Sequence, residues 1–133
     1  MASNTQNNMN YQPGAQYMHA LTLATEAAVT RYYHEDVFAS AVQVITMLNQ
    51  GMALAVENIG LAETMLEKAV EQAEQLSERG YGGYAQAIGY AVHFNYFISE
   101  GLAEAIVLPE LLSSYCAKAK PKIASLARLL SIV

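Results

Sequence analysis

The feature that most constrains this sequence is the absence of charge from two long internal stretches. Residues 37–56 and 80–99 are each 20 residues long, and neither contains Asp, Glu, Lys or Arg. A helix of this length spans about 30 Å, so each stretch is long enough to cross a bilayer or to run through a helical bundle. Polar residues such as Gln43, Asn49 and His93 interrupt both stretches. These interruptions favour buried bundle helices over membrane-spanning ones, although insertion in a membrane stays open as the alternative.

Charge is scarce in the whole chain. Hydrophobic residues make up 53% of the 133 residues and charged residues 14%, whereas about a quarter is usual for charged residues. A domain of this size has a large surface to cover, so the composition indicates that much of it faces a partner or a membrane. The net charge of −5 argues against wholesale non-specific binding to nucleic acid, but not against a local basic patch.

The sequence predicts an all-α, four-helix-bundle-like domain at residues 15–133, behind an extended, flexible N-terminal arm at residues 1–14. The arm is polar and uncharged and lacks the apolar core of a secretory signal. The rest is rich in Ala, Leu, Met and Glu, with little strict alternation, which favours helices. We expect four main helices and two short C-terminal ones, at residues 15–33, 36–59, 61–79, 84–108, 110–119 and 122–132.

Punctuating residues set the predicted ends of these helices. Asp36 is a candidate N-cap for the second helix, and Gly51 inside that helix marks a kink or a close helix crossing. The fourth helix should end before Pro109, and Pro121 suits the first turn of the last helix. The third helix has the clearest apolar stripe, which is widened by Leu66 and Val70 and consists of Leu61, Met65, Ala69, Ala73 and Leu76.

Two groups of charged residues are candidate contact sites. Five carboxylates lie along one face of the third helix, at Glu63, Glu67, Glu71, Glu74 and Glu78. Like charges at this spacing are mildly destabilising, so the acidic stripe indicates either a plain solvated face, a cationic partner or an acidic environment. The C-terminal region instead carries a basic group of Lys118, Lys120, Lys122 and Arg128. Its candidate partners are nucleic-acid phosphate, anionic lipid headgroups and the acidic stripe of a neighbouring subunit, with a plain solvated surface as the alternative.

Tyrosine is the main aromatic residue, with nine copies and no tryptophan in the chain. Tyr81, Tyr84, Tyr90 and Tyr96 cluster in the second uncharged stretch. A tyrosine offers a large contact area with a polar tip, so these four are candidates for a subunit interface, with ordinary core packing as the alternative.

Nothing in the sequence indicates an enzyme, a metal site or a cofactor. The Glu-x-x-His pairs of di-iron carboxylate bundles do not occur, and His19, His34 and His93 lie in different segments. Cys116, the single cysteine, has no catalytic signature around it and is expected to be packed and inert. The glycine-rich turn at residues 80–83 lacks the Lys-Ser/Thr of a phosphate-binding loop. We therefore expect no catalysis and no cofactor.

The polar arm at residues 1–14, the uncharged stretches 37–56 and 80–99 and the apolar C-terminus at residues 123–133 together resemble helical-bundle capsid proteins of archaeal viruses. The similarity is greatest to the hydrophobic major capsid proteins of spindle-shaped (bicaudavirus-like) virions. It covers the whole chain but is one of character, without a diagnostic motif. It implies a coat subunit that assembles helically with copies of itself around DNA, is located in the virion, and can reside in the host membrane before assembly.

The acidic charge departs from the rod-shaped relatives, which are more basic, so a shell around the genome is expected rather than tight wrapping of DNA. Packaged DNA is still a candidate partner of the local basic group. We therefore expect a self-assembling structural subunit, most of all a viral coat protein. The alternative is a cellular, membrane-associated helical accessory protein that docks on lipid headgroups through the same basic residues.

Overall fold

The computed structural model describes residues 13–29, 34–81, 83–114 and 120–129. All regular structure in these ranges is helical, which confirms the predicted all-α fold. A π-helical turn, Ser77–Tyr81, extends the third helix. The helices are α1 (Pro13–Val29), α2 (Glu35–Leu54), α3 (Ile59–Leu76), α4 (Tyr84–Tyr96), α5 (Glu100–Ser114) and α6 (Lys120–Leu129).

Helix α1 lies at the centre of the molecule. It packs against each of the other five helices, while α2 pairs with α3 and α4 pairs with α5 as two helical hairpins. Residues 22–29 of α1 are all buried, and most of them are alanine or other small residues that let neighbouring backbones approach closely. The arrangement is a central helix between two hairpins, and the more specific prediction of a four-helix bundle is not confirmed.

The continuous apolar core lies between α1 and the first hairpin. Its buried members come from α1, α2 and α3, and partly buried Leu112 of α5 and Ile123 of α6 pack at its edge. Gly51 sits at the α2–α3 crossing, where an added Cβ would lie 2.7 Å from Leu66 Cδ2. The predicted close helix crossing at this glycine is therefore present.

The apolar stripe predicted on α3 is wrong in its first turns. Leu61 is exposed and Met65 is half-buried. The buried positions there are Leu66, which the predicted stripe included, and Ala62, which it did not. The predicted stripe and the observed buried face share Ala69, Ala73 and Leu76 further along the helix. They differ at the start because the small Ala62 and the Leu66 side chain face α2, where Gly51 leaves room.

Several predicted helix ends are also wrong. The N-cap of α2 is His34, and Asp36 lies within the first turn, where a carboxylate still favours the positive helix end. Helix α2 ends at Leu54 rather than near residue 59, because Asn58 caps α3 by accepting a hydrogen bond from the Leu61 amide at 3.2 Å. At the N-terminus α1 begins at Pro13, so residues 13 and 14 are helical, and the rest of the predicted arm lies outside the described residues.

The long fourth helix predicted at residues 84–108 is two helices. The chain turns at Phe97, which adopts a left-handed backbone conformation with φ 56°. The turn is held by the Phe97 amide donating to the His93 carbonyl at 3.0 Å and by a 2.6 Å hydrogen bond between His93 Nδ1 and the Ile98 carbonyl.

Pro109, predicted to follow a helix, lies inside α5. It is on the exposed side of that helix, where water can serve the carbonyl that loses its partner. Residues 115–119 of the predicted short helix lie outside the described ranges. Pro121 is in the first turn of α6, as expected.

The second hairpin is attached to α1 by a buried carboxylate. Glu26 of α1 is 3% exposed, and its two oxygens accept hydrogen bonds from the backbone amides of Ala85 at 3.0 Å and Gln86 at 3.2 Å. These amides are free donors at the start of α4, where the helix dipole also favours a negative charge. Gly83 makes the contact possible, because a Cβ there would collide with the Glu26 carboxylate.

We expect Glu26→Ala to lower the free energy of unfolding by about 1–3 kcal/mol, because it leaves two amides without their acceptor in a buried place. Glu26→Gln should cost less, since its amide retains one acceptor oxygen. Urea unfolding measures both, and hydrogen exchange should speed up at Ala85 and Gln86. Glu110→Ala, at an exposed position of α5, is the control, and an equal loss in this variant would contradict the capping role.

Candidate functional site

A polar cleft opens where α1, α3 and the start of α5 meet. It has a volume of about 210 Å³. Helix α1 contributes His19, α3 contributes Glu74, and α5 contributes its first residue, Glu100, with Ser99 directly before it. The remaining lining residues are Ala15, Gln16, Val70 and Gly101. The cleft therefore joins the central helix to both hairpins.

The innermost polar contact of this region is between His19 and Glu104. The His19 Nδ1 and Glu104 Oε1 atoms are 2.6 Å apart, and the Glu104 side chain is fully buried. Gly89 of α4 makes room for it, since a Cβ at that position would collide with the Glu104 side chain. A contact this short between an imidazole and a carboxylate is a charge-assisted hydrogen bond, which fixes the orientation of the His19 ring.

The other nitrogen of the same ring faces a second carboxylate. His19 Nε2 lies 3.8 Å from Glu100 Oε2, which is too long for a hydrogen bond. Glu100 and Glu104 are four residues apart on α5, so they lie on one face of the helix, one turn from each other. The two ring nitrogens of His19 are thus matched by two carboxylates from α5.

Two buried polar atoms in this region lack a hydrogen-bond partner among the described residues. They are Glu104 Oε2 and Ser99 Oγ. The Thr22 hydroxyl also faces Glu104, but its single proton is donated to the Met18 carbonyl at 2.9 Å. Ser99 is 7% exposed and lines the cleft. Buried polar atoms without partners are uncommon, and each one indicates a missing ligand, water or ion.

The electrostatics of the site favour retention of a proton. Burial lowers the pKa of His19, but the hydrogen bond to Glu104 and the charges of the three nearby glutamates outweigh burial and raise the pKa above its ordinary 6.5. Burial raises the pKa of Glu104 above 4.5, although the hydrogen bond to His19 opposes this change. Together the pair holds a proton to higher pH than an exposed histidine would.

This arrangement can hold a proton or a cation, but it lacks the parts of a nucleophilic site. Ser99 Oγ is the hydroxyl of the cleft, and it is not hydrogen-bonded to His19 or to any other described residue. A serine nucleophile needs a base within hydrogen-bond reach. The site therefore shows a histidine and two carboxylates that are suited to binding, not an assembled catalytic pair.

The residues of this cluster were missed in the sequence. A Glu-x-x-His pair brings its two ligands together within one helix, whereas here His19 comes from α1 and the two glutamates from α5. One signal could have found them: isolated ionisable residues within otherwise apolar helices, such as His19 and Glu104. The expected absence of a metal site is not tested by this geometry and stays a prediction.

The acidic stripe lies on α3 and its π-helical extension, as predicted. All five of its members, Glu63, Glu67, Glu71, Glu74 and Glu78, are exposed. Glu74 also borders the cleft and acts electrostatically on His19. The stripe is therefore a continuous negative surface, and one of its carboxylates reaches the candidate site.

The basic group is located on α6 and before it. Lys120 and Arg128 are exposed and Lys122 is half-buried on α6, whereas Lys118 lies outside the described residues. Helix α6 packs against α1. This places three of the four predicted cations on one short helix.

The candidate interface aromatics are at the surface of α4. Tyr84, Tyr90 and Tyr96 are exposed, and the side chain of Tyr81 lies outside the described part of the chain. Tyr90 stacks on Phe94 with ring centroids 6.4 Å apart. With their exposed neighbours they form what we call the α4–α5 surface: Tyr84, Ile88, Tyr90, Phe94, Tyr96, Phe97, Leu102 and Ile106.

One of the two uncharged stretches has a helix that is long and apolar enough to cross a membrane. This helix is α2 (Glu35–Leu54). About a third of its most apolar stretch of 18 residues is buried within the protein. In the second stretch the turn at Phe97 ends α4 after 13 residues, which is too short for a span. Core helices of soluble proteins can have the same length and composition, so these two properties alone do not identify a membrane-spanning helix.

Comparison with known proteins gives no family assignment. No family model matches the sequence, no curated protein matches it significantly, and no solved structure matches its fold significantly.

The raised pKa of His19 predicts how stability depends on pH. In buffer containing a chelator, the stabilisation of the fold by protonated His19 is complete below pH 6.5. It is lost as the pH rises through the folded-state pKa. The raised pKa of Glu104 acts in the same direction from pH 4.5 upward. We expect the free energy of unfolding to fall as the pH is raised above 6.5, with a smaller fall in His19→Gln. If the free energy of unfolding, measured with urea, depended on pH equally in wild type and His19→Gln, this result would contradict the prediction.

Proposed function

We propose that this protein is a structural subunit that assembles with copies of itself through the α4–α5 surface. The observation that carries the proposal is the exposure of eight large apolar side chains on one helical hairpin. Single exposed apolar residues are ordinary, but many large ones on one hairpin of a small protein indicate a contact with a protein or a membrane.

The energy scale of this surface is comparable with the cost of association. Five of its residues are aromatic, and covering one such ring stabilises a complex by on the order of 2 kcal/mol. Their sum, on the order of 10 kcal/mol, matches the cost of roughly 4–15 kcal/mol for the lost freedom of two molecules. Helix α4 contains no Asp, Glu, Lys or Arg, so little charge has to be desolvated.

A second exposed apolar group supports an extended assembly. Around the α2–α3 turn the exposed large apolar residues are Met52, Val56, Ile59 and Leu61. A subunit with two different contact surfaces can bind its neighbours head to tail, and such contacts produce rings or open helical filaments. The acidic stripe on α3 and the cations of α6 add a complementary pair of charged surfaces within the same chain.

Self-assembly of an apolar helical subunit is the property expected of a coat protein. The proposed role is therefore that of a viral major capsid protein that forms a helical shell around a genome and is located in the virion. It needs no catalysis. Contact with packaged DNA would be made by the basic group on and before α6, while the acidic surface of α3 faces neighbouring subunits.

The first test places a charge in the α4–α5 surface. We expect Phe94→Glu to abolish assembly or weaken it at least tenfold, because an interface then has to bury a carboxylate. Gln43→Glu, at an exposed position of α2, adds the same charge elsewhere and should assemble like wild type. Sedimentation velocity and negative-stain imaging over a range of concentrations measure both. A wild-type protein that stays monomeric at high concentration, in acidic and neutral buffers, would refute the proposal.

The second test asks whether the charged surfaces meet between subunits. Reversal of Lys120 and Arg128 to Glu should weaken assembly, and Glu67→Lys with Glu71→Lys in the same chain should restore it. High salt should reduce the effect, since exposed charges are screened. Loss of assembly without restoration would exclude the acidic stripe as the partner of the basic group and leave phosphate or lipid as candidates.

The second candidate function is a membrane-associated accessory protein, and the length and hydropathy of α2 favour it. In this case the cations of α6 would bind anionic headgroups. A monomer that floats with anionic liposomes, and loses this property when Lys120 and Arg128 are reversed, would support this role over the coat protein.

A further inference from the structure

We propose that the cleft between α1 and α5 binds one divalent transition-metal ion, with His19 Nε2 and the Glu100 carboxylate as ligands and Glu104 as the residue that orients the His19 ring. This inference does not depend on the assembly proposal. It is opposed to the expectation from sequence that the chain has no metal site, and the experiment below decides between them.

The orientation of His19 is the first argument. Its Nδ1 atom is 2.6 Å from the buried Glu104 Oε1, so when a metal ion displaces the proton from Nε2, Nδ1 can keep its proton as the donor to Glu104 and Nε2 can bind the ion through its lone pair. Histidines that bind metals commonly donate their other ring N–H to a carboxylate, which fixes the tautomer and strengthens the ligand. The His19–Glu104 pair has this arrangement, and Gly89 provides the space for it.

The distance on the other side of the ring is the second argument. His19 Nε2 and Glu100 Oε2 are 3.8 Å apart. Two ligands that are each about 2.1 Å from a single ion at an open angle are separated by roughly 3.4–3.8 Å. The pair is thus too far apart for a hydrogen bond but suitably spaced to share an ion. The ligand atoms of His19, Glu100 and Glu104 all lie within 4.8 Å of one another.

The unpartnered Ser99 hydroxyl is an independent third argument. Its Oγ is buried, lacks a partner among the described residues and belongs to the lining of the same cleft. A metal-bound water in the cleft would supply the missing hydrogen bond. Glu74 on the opposite wall adds negative charge, and the open volume leaves room for water ligands.

The donor set selects the class of metal. One imidazole with carboxylate oxygens and no thiolate suits Zn²⁺, Mn²⁺ or Fe²⁺, whereas Mg²⁺ and Ca²⁺ prefer oxygen ligands alone. Such an ion would bind α1 and α5 together at the point where the second hairpin meets the central helix. Metal binding should therefore stabilise the fold as well as occupy the cleft.

Calorimetric titration of the chelator-treated, full-length protein with ZnCl₂ tests this proposal. We expect one high-affinity Zn²⁺ per chain and a rise in the unfolding temperature, with no comparable effect of MgCl₂. Glu100→Gln, which leaves the His19–Glu104 pair intact, should weaken Zn²⁺ binding at least tenfold. Glu104→Gln should weaken it about 10–100-fold, as removal of an orienting carboxylate does.

Two exposed residues of the same types serve as controls. His34→Gln and Glu67→Gln should bind Zn²⁺ like wild type. Co²⁺ provides a second readout that does not require heat: its visible ligand-field bands should appear in wild type and be lost in Glu100→Gln. The absence of Zn²⁺ binding to wild type would overturn the proposal, as would equal affinity in Glu100→Gln. Either result would leave His19 as a protonated ion-pair partner only.

Discussion

Because residues 22–29 of α1 are buried without a gap, each polar group in this part of the helix has to find its partner inside the protein. The Thr22 hydroxyl donates a hydrogen bond to the Met18 carbonyl of its own helix. Glu26 instead reaches the free amides of α4, and His19, about two turns earlier on α1, reaches Glu104 of α5. Burial of the central helix therefore forces specific polar contacts, and both long-range contacts go to the second hairpin.

The two hairpins are held by different forces as a consequence. The first shares a continuous apolar core with α1, in which alanines and Gly51 allow close backbone approach. The second is joined to α1 by buried carboxylates and keeps many of its large apolar side chains outside. This inversion, with polar groups inward and aromatic rings outward, is the opposite of an ordinary amphipathic helix. It brings residues of the polar cleft and the exposed apolar residues of the α4–α5 surface together on the same hairpin.

The sequence was informative where the signal is local. Helical composition, the tight crossing at Gly51 and the position of Pro121 could be predicted, because each depends on a few neighbouring residues. The turn at Phe97 could not, since an aromatic residue in a left-handed conformation has no sequence signature. Pro109 suggested a helix end, but exposure on α5 makes it tolerable within the helix. The shift of the α3 stripe from Leu61 to Ala62 depends on which face meets Gly51, and this is a property of the fold.

The candidate site could not be derived for a related reason. Its members are separated by 85 residues in the chain at the His19–Glu104 contact, and local spacing carries no information about such a pair. Glu26 is a further example, since its ligands are backbone amides that every residue possesses. By contrast, the acidic stripe was within reach, because the helix period alone places its five glutamates on one face. Tyr84, Tyr90 and Tyr96 are six residues apart, so the same period spreads them around α4 and does not predict their exposure.

Phe97 combines two demands that oppose each other. Its backbone conformation costs roughly 1–2 kcal/mol in a residue with a side chain and is nearly free in glycine, yet its ring is 76% exposed and makes up the edge of the α4–α5 surface. A glycine at position 97 would make the isolated molecule more stable but would remove an exposed aromatic ring from its surface. If the chain assembles as proposed, the residue at this corner lowers the stability of the single chain and strengthens contacts between chains, so a substitution that favours one state would disfavour the other.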